Sequence, residues 1–255
     1  MQRFTTLLLS LTLSVISFTA IAQQHMHFAT EATYAPLVYL DKDGKISGYE
    51  AEIVQAICAT LKNASCTFTH QGWDSLVPSL KLGKVDAIFG GLAITDQRAE
   101  QVSFTQPLYE NSIAFLAEKD KLFTIDKAGL AGKTIGVQIG TTMEHYLREH
   151  YKEVNVKSYA SLQDALLDIE TGRINSVLGD TPVLIAWMKN KPKDKFSLIT
   201  IPAADTKYFG PGNAIAVNKN NKQLLEQLNT AIDTLKKNGT LAKIAAKYLS
   251  MDVVE

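Results

Sequence analysis

The sequence predicts an α/β protein whose two lobes face each other across a cleft. Short apolar segments typical of buried strands alternate along the chain with amphipathic helical patterns. Residues 80–91 and 169–180 align without gaps, each as a helix end, a glycine, a basic residue, a strand and a second glycine. Any two strand–loop–helix units share some of this pattern, but the repeat favours one such unit in each lobe. Predicted strands at 112–117 and 213–218 interrupt the alternation, and we assign them to the crossings between lobes.

The strands are predicted from short apolar runs bounded by turn residues. They cover residues 27–30, 66–69, 85–89, 112–117, 134–138, 155–158, 174–178 and 213–218. The polar segment 118–133 is interpreted as a linker with a short helix, and residues 208–212 as a loop.

The helices are predicted from apolar residues that recur every three or four positions. They cover residues 50–61, 74–82, a short turn from 95, 143–150, 161–171, 181–190, 224–235 and 241–249. Gly83 and Gly172 are expected to end two of them, because glycine adopts the left-handed conformation that closes a helix. Ser161 with Asp164 is typical of a helix start, as is Pro182 in a first turn.

Residues 1–22 are typical of a secretory signal peptide. Arg3 precedes an apolar run, and Ala20 and Ala22 provide small residues before the expected cleavage site. A membrane anchor is the alternative, although the apolar run is short for one. We therefore expect an exported protein. The two crossings predict that lobe I is formed by residues 23–111 and 213–255 and lobe II by residues 112–212.

Composition and cysteine content limit the functions that the chain can have. With 26 Lys and Arg against 26 Asp and Glu, there is no basic surplus to favour binding to nucleic acid. Cys58 and Cys66 are the only cysteines, and such a close pair in an oxidising compartment predicts a disulfide rather than a zinc site. The histidines have no metal-ligand spacing, and no nucleophile is paired with a base. We expect no metal, no cofactor and no catalytic residue.

Two glycine turns and two opposite charges predict a site for a zwitterion. The turn at Gly90 and Gly91 follows a buried strand and leads into a helix that carries Arg98, an arrangement that attracts a carboxylate. The turn at 140–142 repeats this arrangement. In the second copy of the repeat the strand ends in Asp180, which could bind an ammonium group across the cleft. Alternatively, Arg98 is an ordinary surface residue and Asp180 only caps the following helix.

With these residues placed, the chain closely resembles the periplasmic polar-amino-acid-binding proteins of ABC importers. The resemblance extends over nearly all of the mature chain, and the arginine-binding and lysine/arginine/ornithine-binding members are the most similar. It is carried by FATEATYAP at 28–36, GKISGY at 44–49, WDSLVPSL at 73–80, ITDQR at 94–98, GVQIGTT at 136–142, Asp180 and YFG at 208–210. It implies the type II periplasmic-binding-protein fold, with two hinge strands between the lobes.

The resemblance also implies a set of ligand-binding residues and their roles. The set comprises Glu31, Tyr34, Trp73, Gly91, Ala93, Arg98, Gln138, Thr141, Thr142 and Asp180. Arg98 would bind the α-carboxylate, together with backbone N–H groups near Ala93 and Thr142, and Asp180 would bind the α-ammonium. Tyr34 and Trp73 would enclose the side chain, unless they are ordinary core aromatics.

Glu31 would pair with the distal charge of the ligand, and a two-bond fork between Glu and guanidinium favours arginine over lysine. Glu31 could instead be a solvated acid at a strand end. Gly90, Gly91 and Ala93 depart from the hydroxyl or acidic residues of many relatives, so hydrogen bonds there are expected from the backbone. Met143 likewise replaces a residue that is often polar.

We therefore expect a monomeric receptor that traps L-arginine, or another basic amino acid, and delivers it to an inner-membrane ABC permease. The first alternative is an enzyme on the same scaffold, because some relatives resemble cyclohexadienyl dehydratases. Glu31 is the obvious candidate acid for that reading. A sensory module that signals to a separate membrane partner is a second alternative.

Overall fold

The computed structural model describes residues 24–201 and 206–248, and the predicted signal peptide at 1–22 lies outside them. The strands are β1 Gln24–Thr30, β2 Thr33–Tyr34, β3 Val38–Leu40, β4 Ile46–Ser47, β5 Ala64–His70, β6 Ala87–Ile88, β7 Val102–Phe104, β8 Ile113–Glu118, β9 Thr134–Gln138, β10 Asn155–Tyr159, β11 Ser176–Asp180, β12 Phe196–Thr200 and β13 Ala216–Asn218. The helices are α1 Tyr49–Thr60, α2 Trp73–Lys81, α3 Asp96–Ala99, α4 Lys127–Leu130, α5 Thr142–His150, α6 Leu162–Glu170, α7 Thr181–Met188, α8 Thr206–Phe209, α9 Lys222–Lys237 and α10 Thr240–Tyr248.

The strands form two mixed five-stranded sheets and one small antiparallel sheet. The first sheet has the order β5-β1-β6-β13-β7, and the second has the order β10-β9-β11-β8-β12. In each sheet four strands run in the same direction, and the fourth strand in the order, β13 or β8, runs antiparallel to both of its neighbours. The chain passes from the first sheet to the second between β7 and β8, and returns between β12 and β13. This architecture confirms the predicted α/β fold class.

Helices cover both faces of the first sheet because side chains alternate along its strands. On β1, Phe28 packs into a core shared with Ile57 of α1 and Ile232 of α9. The next residue, Ala29, points to the other face and packs with Leu80 of α2. Residues on adjacent positions of one strand therefore belong to two separate cores.

The structure confirms most predicted elements and adds several that the sequence did not reveal. Gly83 and Gly172 adopt left-handed φ angles of 67° and 72° just after α2 and α6, as predicted for helix ends. The predicted strand at 213–218 is shortened to β13, and β2, β3, β4, β7 and β12 were not predicted. The last helix continues at least to Tyr248, and residues 249–255 lie outside the described part.

The predicted disulfide is confirmed and joins the end of α1 to β5. Cys58 and Cys66 are bonded across a sequence separation of 8 residues, so the bridge fixes the loop between helix and strand. In the described part of the chain, no helix has the length and apolarity needed to cross a membrane.

Candidate ligand-binding site

The residues predicted from the sequence surround a single cavity at the facing edges of the two large sheets. The cavity holds about 400 Å³ of space outside the protein atoms, counting its open mouth. All of the predicted ligand-binding residues line it, together with Gly90, Asn111, Ile113, Met143, Phe209 and Asn213. Four strands, β1, β6, β9 and β11, direct their carboxyl ends at it, which is the usual place for a ligand in an open α/β sheet.

Arg98 is the cation of this cavity. It lies on the short helix α3, where the Thr95 hydroxyl accepts a hydrogen bond from the Arg98 N–H at 3.3 Å and caps the helix. The guanidinium donates to the Ala93 carbonyl at 3.0 Å and lies 5.3 Å from the centre of the Trp73 ring. Burial lowers the pKa of Arg98 to about 10, so the group stays charged at neutral pH. The alternative of an ordinary surface arginine is therefore wrong.

The start of α5 forms the wall that contains Thr141 and Thr142. Thr141 caps the helix, because its hydroxyl accepts from the Glu144 N–H at 3.3 Å and donates to the Gln138 carbonyl at 2.7 Å. Glu144 in turn accepts from the Gly140 N–H at 2.7 Å. The N-terminus of α5, with Thr142 as its first residue, therefore faces the cavity and adds partial positive charge.

Asp180 is the buried anion opposite Arg98. It ends β11 and is 5% exposed, and its side chain makes no capping bond to α7, so the alternative that Asp180 only caps this helix is wrong. Its carboxylate accepts instead from the hydroxyl of Tyr34, which lies on β2 of the small sheet. Burial is the main cause that raises the pKa of Asp180, and the Glu50 charge adds to it, whereas the Tyr34 hydrogen bond and the Arg98 charge lower it; the net pKa is about 7.

Glu31 is a second buried acid at the carboxyl end of β1. It is 7% exposed, which excludes the reading of a solvated strand-end acid. Its carboxylate accepts from Gln138 Nε2 at 2.7 Å, and the same nitrogen donates to the Ala160 carbonyl at 3.0 Å. Burial raises the pKa of Glu31, and the Gln138 hydrogen bond partly offsets this. Glu31 and Gln138 thus form a polar contact between the two large sheets.

The Gly90–Gly91 turn is held by a residue that the sequence analysis did not assign to the site. Glu50, fully buried at the start of α1, accepts from the Gly90 N–H at 2.9 Å, the Gly91 N–H at 2.6 Å and the Tyr109 hydroxyl at 2.6 Å. The backbone donors expected here for a ligand are therefore engaged by Glu50. One signal was available: Glu50 lies on the same helical face as Ile53, Val54 and Ile57, where a solvated acid would be out of place.

Gly91 also has a steric role at the cavity wall. Its φ angle of 64° is left-handed, and a Cβ there would lie 3.2 Å from the Tyr34 ring and 3.9 Å from Asp180. Glycine therefore lets the Tyr34 ring lie against the turn while its hydroxyl reaches Asp180. Trp73 also lines the cavity and is half-buried. The prediction that it encloses the ligand side chain together with Tyr34 stays a prediction.

No group of acidic, histidine or cysteine side chains suited to a metal ion occurs among residues 24–201 and 206–248.

Comparisons with known proteins agree with this architecture. Residues 26–251 match the model for bacterial extracellular solute-binding proteins, family 3. The chain is 41% identical over 242 residues to the ABC transporter arginine-binding protein 1 of Escherichia coli K12, covering 95% of this chain and 98% of that protein. It is 42% identical over 228 residues to the arginine-binding periplasmic protein of Mannheimia haemolytica, with 89% and 92% covered. A solved Salmonella typhimurium periplasmic binding protein, described for its high arginine specificity, superposes with a TM-score of 0.82 at 36% identity, covering 89% of this chain and all of that one.

Proposed function

Because the chain belongs to the bacterial extracellular solute-binding proteins of family 3, we propose that it is a periplasmic receptor for L-arginine. It captures the amino acid in the cavity and delivers it, as a monomer, to an inner-membrane ABC permease. The observation that carries the proposal is the charge arrangement of one cavity, with Arg98 and two buried acids, Asp180 and Glu31. These three charges complement the carboxylate, ammonium and guanidinium of arginine. The relatives named for arginine binding add independent support.

The α-amino-acid head group would bind between Arg98 and Asp180. Arg98 presents forked donors to the carboxylate, and the start of α5 at Thr142 adds partial positive charge on the other side. Asp180 would accept from the α-ammonium in place of the Tyr34 hydroxyl. A cation beside Asp180 lowers the pKa of a carboxyl that is raised to about 7, chiefly by burial.

The side chain of the ligand would extend toward Glu31 and Gln138. Glu31 can accept two parallel hydrogen bonds from a guanidinium, whereas the single ammonium of lysine lacks this planar fork. The rings of Tyr34 and Trp73 would enclose the flat group, since a cation is attracted to an aromatic face. Arginine is therefore expected to bind more tightly than lysine, ornithine or histidine.

We propose that lobe I comprises residues 23–111 and 213–255, and that lobe II comprises residues 112–212. The division is supported by the sheets, because β1, β5, β6, β7 and β13 form one sheet and β8 to β12 form the other. Arg98 and Glu31 belong to lobe I, and Asp180 and Gln138 to lobe II. A ligand that needs both sets of groups favours the arrangement in which the lobes are close, so binding is coupled to closure.

Isothermal titration of the mature protein with arginine, lysine, histidine, glutamine and prephenate tests the proposal. We expect one arginine per chain, binding lost in Arg98→Ala and Asp180→Ala, and a selective weakening for basic ligands in Glu31→Gln. Arg173→Ala is the matched control, because the exposed Arg173 side chain does not line the cavity and pairs with Asp168 of α6 at 3.1 Å. Turnover of prephenate without binding of any basic amino acid would instead establish the dehydratase alternative.

A further inference from the structure

Asn213 is a buried polar residue of the cavity that the proposed function leaves without a role. It is 0% exposed and lines the cavity, where the chain re-enters the first sheet ahead of β13. Among the described residues, neither its Oδ1 nor its Nδ2 has a hydrogen-bond partner. Burying a carboxamide in this way is costly, and most buried polar side-chain atoms in proteins are paired. The natural partner is therefore a group that enters the cavity.

The backbone of Asn213 is fixed by its neighbours, so the position from which its side chain starts is defined. Its N–H donates to the Tyr109 carbonyl at 2.9 Å, and its carbonyl accepts from the Leu108 N–H at 2.8 Å. It forms isolated β-bridges with Ala93 and with Tyr109. The side chain thus starts from a backbone position that is fixed on both sides, next to Ala93 at the cavity wall.

These bridges place Asn213 at the end of the cavity proposed for the head group. Ala93 is the residue whose carbonyl accepts from Arg98, and the Tyr109 hydroxyl donates to the Glu50 carboxylate that holds Gly91. The charge of Asp180 also acts on Tyr109. Glu31 and Gln138 form the contact proposed for the distal end of the side chain.

We propose that Asn213 is a specificity-determining residue whose Oδ1 accepts a hydrogen bond from the α-ammonium of the ligand. An ammonium has three donors, and Asp180 is the only carboxylate that the proposed pose offers to it, which leaves donors for a neutral acceptor. The inference rests on the proposed function. It predicts that this cavity selects free α-amino acids over the same side chains without an α-amino group.

The test pairs Asn213→Leu with an arginine analogue that lacks the α-amino group, 5-guanidinopentanoate. Leucine is close to asparagine in shape, so removing an unpaired amide is expected to leave the melting temperature unchanged or raised. We expect the Kd for arginine to rise at least about tenfold, as for a hydrogen bond to a charged group. The Kd for 5-guanidinopentanoate, measured by competition against arginine, should change less than about twofold.

Asn218→Leu is the matched control, because its Nδ2 already donates to the Leu80 carbonyl at 3.2 Å and it does not line the cavity. That variant should lose stability and keep its arginine affinity. If Asn213→Leu leaves the arginine Kd unchanged, or weakens both ligands equally, the inference is wrong; a lowered melting temperature with an unchanged Kd would assign Asn213 a structural role. Asn213→Ala provides a second variant should leucine prevent folding. Failure of the unmodified protein to bind arginine would instead refute the proposed function.

Discussion

The affinity for arginine is expected to fall steeply as the pH is lowered, because Asp180 must be ionised to bind an ammonium group. Before a cation binds, the pKa of Asp180 is raised to about 7, with burial as the largest cause. A bound ammonium favours the ionised form and lowers that pKa. Below pH 7 each unit of pH then makes the ionised form about tenfold rarer, so the Kd at pH 5 is expected to be roughly 100-fold above its value at pH 8. Glu31, whose pKa is also raised by burial, steepens the dependence.

Titration calorimetry from pH 5 to pH 8.5, in buffers of different ionisation enthalpy, measures both the Kd and the protons released. Close to one proton should be released per arginine at pH 6 and almost none at pH 8.5. In Asp180→Asn the binding should be weak at every pH, and the pH dependence should flatten. An affinity in the unmodified protein that is constant between pH 8 and pH 5 would refute the role of Asp180.

Three further predictions follow from the same geometry. In Glu50→Gln, an oxygen that accepts from the Gly90–Gly91 turn is replaced by an NH₂ donor. The free energy of unfolding, measured in urea, should fall by about 1.5–3 kcal/mol, and the arginine affinity should fall with it. Gly91→Ala should weaken arginine binding, because a Cβ at φ 64° would crowd Tyr34, whereas Gly44→Ala, also at positive φ but with nothing within 4 Å, should only lower stability. Reducing the disulfide between Cys58 and Cys66 should lower stability by about 2–3 kcal/mol without changing the arginine Kd, since neither cysteine lines the cavity.

The charged residues of the site could be predicted because each follows a strand with a readable signal. Arg98 comes after a buried strand and a glycine turn, and Asp180 comes at the matching position of the repeat. Carboxyl ends of parallel strands lie at one edge of a sheet, so the local pattern predicted the edge at which each residue lies. The repeat then suggested that the edges of the two sheets face each other. The fold class followed from the same alternation of strands and helices.

Three features were not predicted because they depend on contacts distant in sequence: the roles of Glu50 and Asn213, and the strand β12. Glu50 holds a turn 40 residues further along the chain, and an acid in a first helical turn is usually explained by the helix dipole. Asn213 begins the segment 213–218, whose pattern predicts only a strand that crosses between the lobes. β12 has no strong apolar alternation, and it is ordered by pairing with β8.

The acids of the cavity already accept hydrogen bonds of the kind that a ligand would form. The free energy of binding therefore depends on whether a ligand forms stronger hydrogen bonds than those it replaces. Tyr34 donates to Asp180, and Gln138 donates to Glu31, so each acid has a neutral partner that is distant in sequence. Binding replaces these bonds, and its free energy is the difference between the new partners and the old. A hydrogen bond from a cation to a carboxylate is roughly twice as strong as one between neutral groups. A ligand with a cation at both ends therefore forms stronger hydrogen bonds than the existing ones at both Asp180 and Glu31. The amide of glutamine could give Glu31 only a neutral hydrogen bond, which Gln138 already supplies.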